Sequence, residues 1–131
     1  MRQPTSRAEV YRWYDAVMRG EFVQITGEPQ AGWFRRKLVK GGPFVGARIW
    51  MHQVLDHDGL LADDERLRCE VNGREVFNVV DQWTYLAGNP ISEDEFSHLL
   101  RLSRWAARNA EDHPAATPDE KVNFLKSRIP F

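Results

Sequence analysis

Between residues 44 and 51 the chain alternates with a period of two. Val45, Ala47, Ile49 and Met51 fall on one side, and Phe44, Gly46, Arg48 and Trp50 on the other. That is the period of a half-buried strand. The run before it, residues 33–39, is rich in β-forming residues but carries bases on both sides, which predicts an edge strand. Gly41-Gly42-Pro43 joins the two as a turn, with the glycines supplying unusual φ angles and the proline fixing the next. A second hairpin is written in LRCEV-NG-REV, residues 67–76. Its Asn-Gly turn leaves Leu67, Cys69 and Val71 facing in and Arg68 and Glu70 facing out. A shorter alternation, EFVQIT at residues 21–26, predicts one more strand.

Helical spacing frames these strands. Residues 6–20 open with Ser6 and Glu9 as a capping box and close on Gly20. Val10, Tyr14, Val17 and Met18 form the expected buried face, with Tyr11 and Trp13 flanking it. Residues 78–88 read as a short helix or turn. Ser92 and Glu95 start a long helix, whose buried face holds Phe96, Leu99, Leu100, Ser103 and Ala107, widened by Leu102, Trp105 and Ala106. Thr117-Pro118-Asp119-Glu120 carries the cap, proline and acids of a last short helix. The order predicts an α+β fold over a single domain, 1–131: a small antiparallel sheet packed on one face by an N-terminal helix and C-terminal helices.

With 131 residues the chain can bury a core without staples. Its one cysteine, Cys69, fits a reducing compartment. No stretch is apolar enough for a membrane span or a signal peptide, so the expected location is the cytoplasm.

The net charge of −1 conceals a lopsided map. Between Pro29 and Leu55 there are five bases, Arg35, Arg36, Lys37, Lys40 and Arg48, and no acid. Between Asp56 and Glu65 there are five acids, Asp56, Asp58, Asp63, Asp64 and Glu65, and no Lys or Arg. Two readings follow. The acidic loop folds beside the basic hairpin and the two neutralise one another weakly. Alternatively the surface is bipolar: Trp33, Arg35, Arg36, Lys37, Lys40, Arg48 and Trp50 meet an anionic partner, and the five acids meet a basic one. On the second reading Trp33, Phe34, Phe44 and Trp50 could stack on bases while arginines hold phosphates.

Other chemistry finds little footing. After Asp56-His57-Asp58 come Gly59, Leu60, Leu61 and Ala62, which breaks the ligand spacing of a calcium loop. The four histidines form no HExxH, and one cysteine excludes a zinc site built on cysteine pairs. KGGP lacks the strand-to-helix setting and GK[ST] ending of a phosphate loop. An inward Cys69 behaves as a small apolar residue. Arg101, Arg104 and Arg108 read as a solvated helix face, paired with Asp94 or Glu111. The expectation is therefore no metal, no cofactor and no enzymatic activity.

GWFRRKLVKGGPFVGARIW, followed by NGREV and by GNPISEDEF before a helix containing LSRW, resembles short uncharacterised proteins encoded by phages and prophages of Gram-negative bacteria. The resemblance covers roughly residues 31–116 and carries over no functional residue. It implies a setting: a small accessory protein in the bacterial host cell that binds a host or defence-system protein, such as a nucleic-acid machine, in the manner of an anti-CRISPR inhibitor. The alternative is a nucleic-acid-binding protein that uses the basic aromatic hairpin 33–50.

Overall fold

The computed structural model describes residues 2–21, 23–25, 27–109, 113–116 and 118. Four strands, β1 (Gly32–Lys37), β2 (Phe44–His52), β3 (Arg66–Val71) and β4 (Arg74–Val76), form one antiparallel sheet in the order β1-β2-β3-β4. Two short helices precede it, α1 (Arg7–Val10) and α2 (Arg12–Met18). Two follow it, α3 (Val79–Leu86) and α4 (Glu93–Asn109), and then a 3-10 turn (Pro114–Ala116). This is the expected α+β architecture.

Both hairpins form where their turn residues stand. Asn72 and Gly73 adopt φ of 52° and 84°, the left-handed pair that a two-residue turn requires. In the first hairpin only Gly41 takes a positive φ, 81°, and Gly42 closes the turn by donating its N–H to Val39 C=O at 3.0 Å. As expected, β1 lies at a sheet edge, but that edge is covered. Arg35 N–H donates to Asn89 C=O, Ile91 N–H donates to Trp33 C=O, and Pro90 bridges Phe34.

The register defines two faces. Phe34 pairs with Ala47, Ala47 with Val71, and Ile49 with Cys69, so these residues share one face, which is buried. Trp13 and Trp83 close over Phe34, with ring centroids 6.3 Å and 5.6 Å away. Phe34, Ile49, Leu86 and Cys69 are the largest fully buried side chains among the described residues. Burying Phe34 and Ile49 contributes about 1.5–3 kcal/mol each.

The helices do not all pack on that face. Gly46 pairs with Arg35 on the opposite side, and a Cβ built on Gly46 would lie 3.0 Å from Cδ1 of Phe96. Helix α4 therefore crosses the outer face at Gly46, α3 covers the inner one, and α2 reaches both at β1, with Trp13 over Phe34 and Tyr14 against Trp33. Asn72 Nδ2 donates to Ser103 Oγ, which donates to Ala115 C=O, and this ties α4 to the second turn and to the 3-10 segment.

Three details depart from the expectations. The first helix breaks at Tyr11 (φ −99°, ψ 14°), and Trp13 joins the expected Tyr14 in the core, leaving Met18 44% exposed. On α4 it is Ala106 that is buried, whereas Ala107 and Trp105 face solvent. Glu21 and residues 23–25, the described part of the strand expected at 21–26, lie outside the sheet. Apart from Pro118, the helix expected from Thr117 onward lies outside the described residues.

Candidate functional site

Helix α4 covers only one end of the outer face. Beyond Gly46 that face carries Arg48, Trp50 and His52 on β2, Arg66, Arg68 and Glu70 on β3, and Glu75 on β4, brought together by register. Trp50 stands at the centre, half-buried, opposite Arg68. The Arg48 guanidinium lies 4.7 Å from the Trp50 ring centroid and that of Arg68 5.7 Å from it. Such cation–π contacts orient the indole as well as holding it.

Each arginine also meets a carboxylate. Arg48 Nε lies 3.1 Å from Glu70 Oε1, close enough for an ion pair but without hydrogen-bond alignment. Arg68 makes a two-point fork on Glu75, with Nε donating to Oε2 at 2.7 Å and Nη2 donating to Oε1. Its Nη1 lies 3.3 Å from His52 Nδ1. The hydrogen bond from Arg68 holds the Glu75 carboxyl below its ordinary range. The result is a ladder of paired opposite charges built around one indole ring and ordered by mutual contact.

The hairpin candidates distribute over five environments. Arg48 and Trp50 belong to the ladder. Arg35, Lys37 and Phe44 form a basic corner on the same face: Arg35 lies 4.3 Å and Lys37 Nζ 5.0 Å from the Phe44 centroid, and Arg35 reaches Glu95 at 3.7 Å. Lys40 is exposed in the turn. Arg36 points the other way, sharing a face with Val45. It donates to Gln82 Oε1 at 2.6 Å and lies 4.0 Å over the Tyr85 ring. Trp33 is buried, stacked under Tyr11 at 5.1 Å and edge-on to Tyr14 at 5.2 Å. It is a core residue here, with no ring face free for a base.

The acidic loop is likewise divided. Asp56 Oδ1 accepts from the N–H groups of Asp58 and Leu60, shaping the turn. Glu65 accepts from Thr5 N–H and Oγ1 and from Gln53 Nε2, with Arg2 at 3.5 Å. The hydrogen bond from Gln53, followed by those from Thr5, lowers its pKa. Asp58, Asp63 and Asp64 are exposed. The ion pairs of Arg35 and Arg48 go to Glu95 and Glu70, so the acidic loop is not what neutralises those two bases.

His52, Arg66, Arg68, Glu70 and Glu75 were absent from the sequence candidates. The alternation in LRCEV already placed Arg68 and Glu70 outside, but only the pairing of β2 with β3 sets them beside Trp50. Among the described residues no group of three or more His, Cys, Asp or Glu is gathered to hold a metal, and no helix is long and apolar enough to cross a membrane. Cys69 is buried on the inner face, and burial pushes its thiol up to about 12, far from a nucleophile's range. Comparison with family models, curated proteins and solved structures finds no match for this chain.

Proposed function

We propose that this protein acts by protein–protein recognition through the open outer half of its sheet, as a small phage or prophage accessory protein directed at a host or defence-system protein. The observation that carries the reading is Trp50 in cation–π contact with both Arg48 and Arg68, with Glu70 paired to the first guanidinium and Glu75 to the second. Tryptophan and arginine are the residue types that concentrate binding energy at protein interfaces. A ring already fixed by its neighbours loses little side-chain entropy on docking.

The same pairing argues against nucleic acid as the main partner. Phosphate binding draws on free cationic charge, and the two central arginines already meet carboxylates. The basic corner of Arg35 and Lys37 adds electrostatic steering at the rim, which raises on-rate more than affinity. In this reading the protein is a binding module of the bacterial cytoplasm, without cofactor or catalytic centre.

The test is capture from a Gram-negative host lysate, followed by titration of the purified pair. Trp50→Ala should weaken the complex by about 2 kcal/mol or more, as a hot-spot truncation does, with melting unchanged. If no captured protein depends on Trp50 and labelled DNA binds tightly instead, the nucleic-acid reading replaces this one.

A further inference from the structure

The two edges of the sheet are finished differently. Residues 89–91 cover β1, but β4 is only three residues long and ends at Val76, opposite Cys69. Among the described residues, 66–68 of β3 therefore have a strand neighbour on the β2 side alone.

The direction of their main-chain groups follows from one bond. Asn72 N–H donates to Gly46 C=O at 2.8 Å. Bonded pairs alternate along an antiparallel ladder, so residues 70, 68 and 66 turn their N–H and C=O toward β2, and 71, 69 and 67 turn theirs toward β4. Val71 and Cys69 meet Arg74 and Val76 there. Leu67 points its donor and acceptor to the place a longer β4 would have filled.

A cavity of about 260 Å³ lies at that place, with Leu67, Val76, Phe77 and Val79 among its lining residues. Phe77 is 89% exposed, the most exposed large apolar side chain among the described residues. Charge around the opening is unbalanced: Arg66 and Arg68 face the single carboxylate of Glu75, with His52 alongside.

We propose that this open half-edge accepts an extended segment of a partner protein by strand addition, and that the segment alternates acidic and apolar residues. This rests on the protein-recognition reading above and names its mode. Main-chain bonds to Leu67 supply the pairing, as in other strand-addition complexes. An apolar side chain enters the cavity against Phe77, and a carboxylate meets Arg66. A second copy of this chain is a poor occupant, because antiparallel pairing of the two open halves would set Arg66 and Arg68 against their own counterparts.

The probe is a short synthetic peptide of alternating glutamate and valine, titrated into isotope-labelled full-length protein, with a lysine–valine peptide as control. The amide signals of residues 66–68 and 77 should shift, and Leu67 amide exchange should slow about tenfold or more. The lysine peptide should do neither. Arg66→Glu and Phe77→Ser, both at exposed positions, should each weaken the glutamate peptide by about tenfold. If residues 66–68 do not respond, or respond equally to the lysine peptide, while a Trp50-dependent partner is still captured, strand addition is wrong and the recognition reading survives. Edge binding with no Trp50-dependent partner would instead sink the role given to the outer face.

Discussion

Gly46 lies directly beneath Phe96: a Cβ at residue 46 would come within 3.0 Å of the ring and 3.2 Å of the Phe96 carbonyl oxygen. This contact fixes how closely α4 approaches the outer face, and so how much of that face stays open. Gly46→Val should destabilise the protein by about 1–3 kcal/mol through overpacking, although valine suits a strand better than glycine does. Denaturant melts would measure it. Pairing it with Phe96→Ala should recover part of the loss, a coupling expected only of residues in contact. Strictly additive effects would mean that α4 is held elsewhere.

On the inner face, Ile49 is 1% exposed and pairs with Cys69. Ile49→Ala should cost about 2–5 kcal/mol. A loss below about 0.5 kcal/mol would place the residue outside the core, since surface substitutions fall in that range.

The sheet was legible in the sequence because its signals are local. A period of two and an Asn-Gly turn need no knowledge of the rest of the chain. The helical faces were less so. Tyr11 interrupts the first helix and stacks on Trp33, and Trp13 is buried beside the expected Tyr14 while Met18 is exposed. The site was only half legible for a related reason. Trp33 and Trp50 sit in similar basic, aromatic runs, yet Tyr11 covers one while Arg48 and Arg68 frame the other. Nothing in the local pattern tells them apart, because Tyr11 and Arg68, which decide the two settings, come from residues far along the chain.

Glu65 should leave a signature in acid. Its side chain is 5% exposed, and its pKa is lowered from the usual 4.5 by hydrogen bonds led by the one from Gln53. A carboxyl depressed on folding stabilises the protein above its unfolded pKa, and that contribution fades as pH falls toward the folded value. Stability should therefore drop as pH is lowered below about 4.5. Glu65→Gln should be less stable than the native protein at neutral pH, and the difference should shrink in acid. Thermal melts of both proteins across that range test it. A difference that does not change with pH would show that the carboxylate charge is irrelevant there.

Cys69 offers a probe of opening. With its side chain fully buried and its pKa at about 12, the native thiol should resist a disulfide reagent at pH 8. Only the thiolate attacks, and at that pKa it is on the order of one part in ten thousand. Unfolded protein should react fully. The rate of native-state labelling should then rise in Ile49→Ala, because destabilising the core raises the population of opened molecules. Rapid labelling of the intact protein would put Cys69 in a partly open strand.

The charge distribution leads to the last prediction, about nucleic acid. Arg36 is engaged with Gln82 and Tyr85, Arg35 with Glu95, and Arg48 with Glu70, so few of the hairpin's bases stand free for phosphates. DNA binding should be on the order of micromolar or weaker and should fall steeply with salt, as non-specific contacts do. Arg35→Glu combined with Lys37→Glu should abolish what binding there is, because these two bases form the exposed corner over Phe44. The same pair should slow association with a protein partner while changing its dissociation little, since rim charges act on encounter. Asp63→Lys with Asp64→Lys, at exposed loop positions, should leave a Trp50-dependent complex intact. Each variant needs an unchanged melt first. Tight DNA binding that survives physiological salt, and is lost only when Arg35 and Lys37 are reversed, would mean that the basic corner, and not the Trp50 ladder, is the working surface.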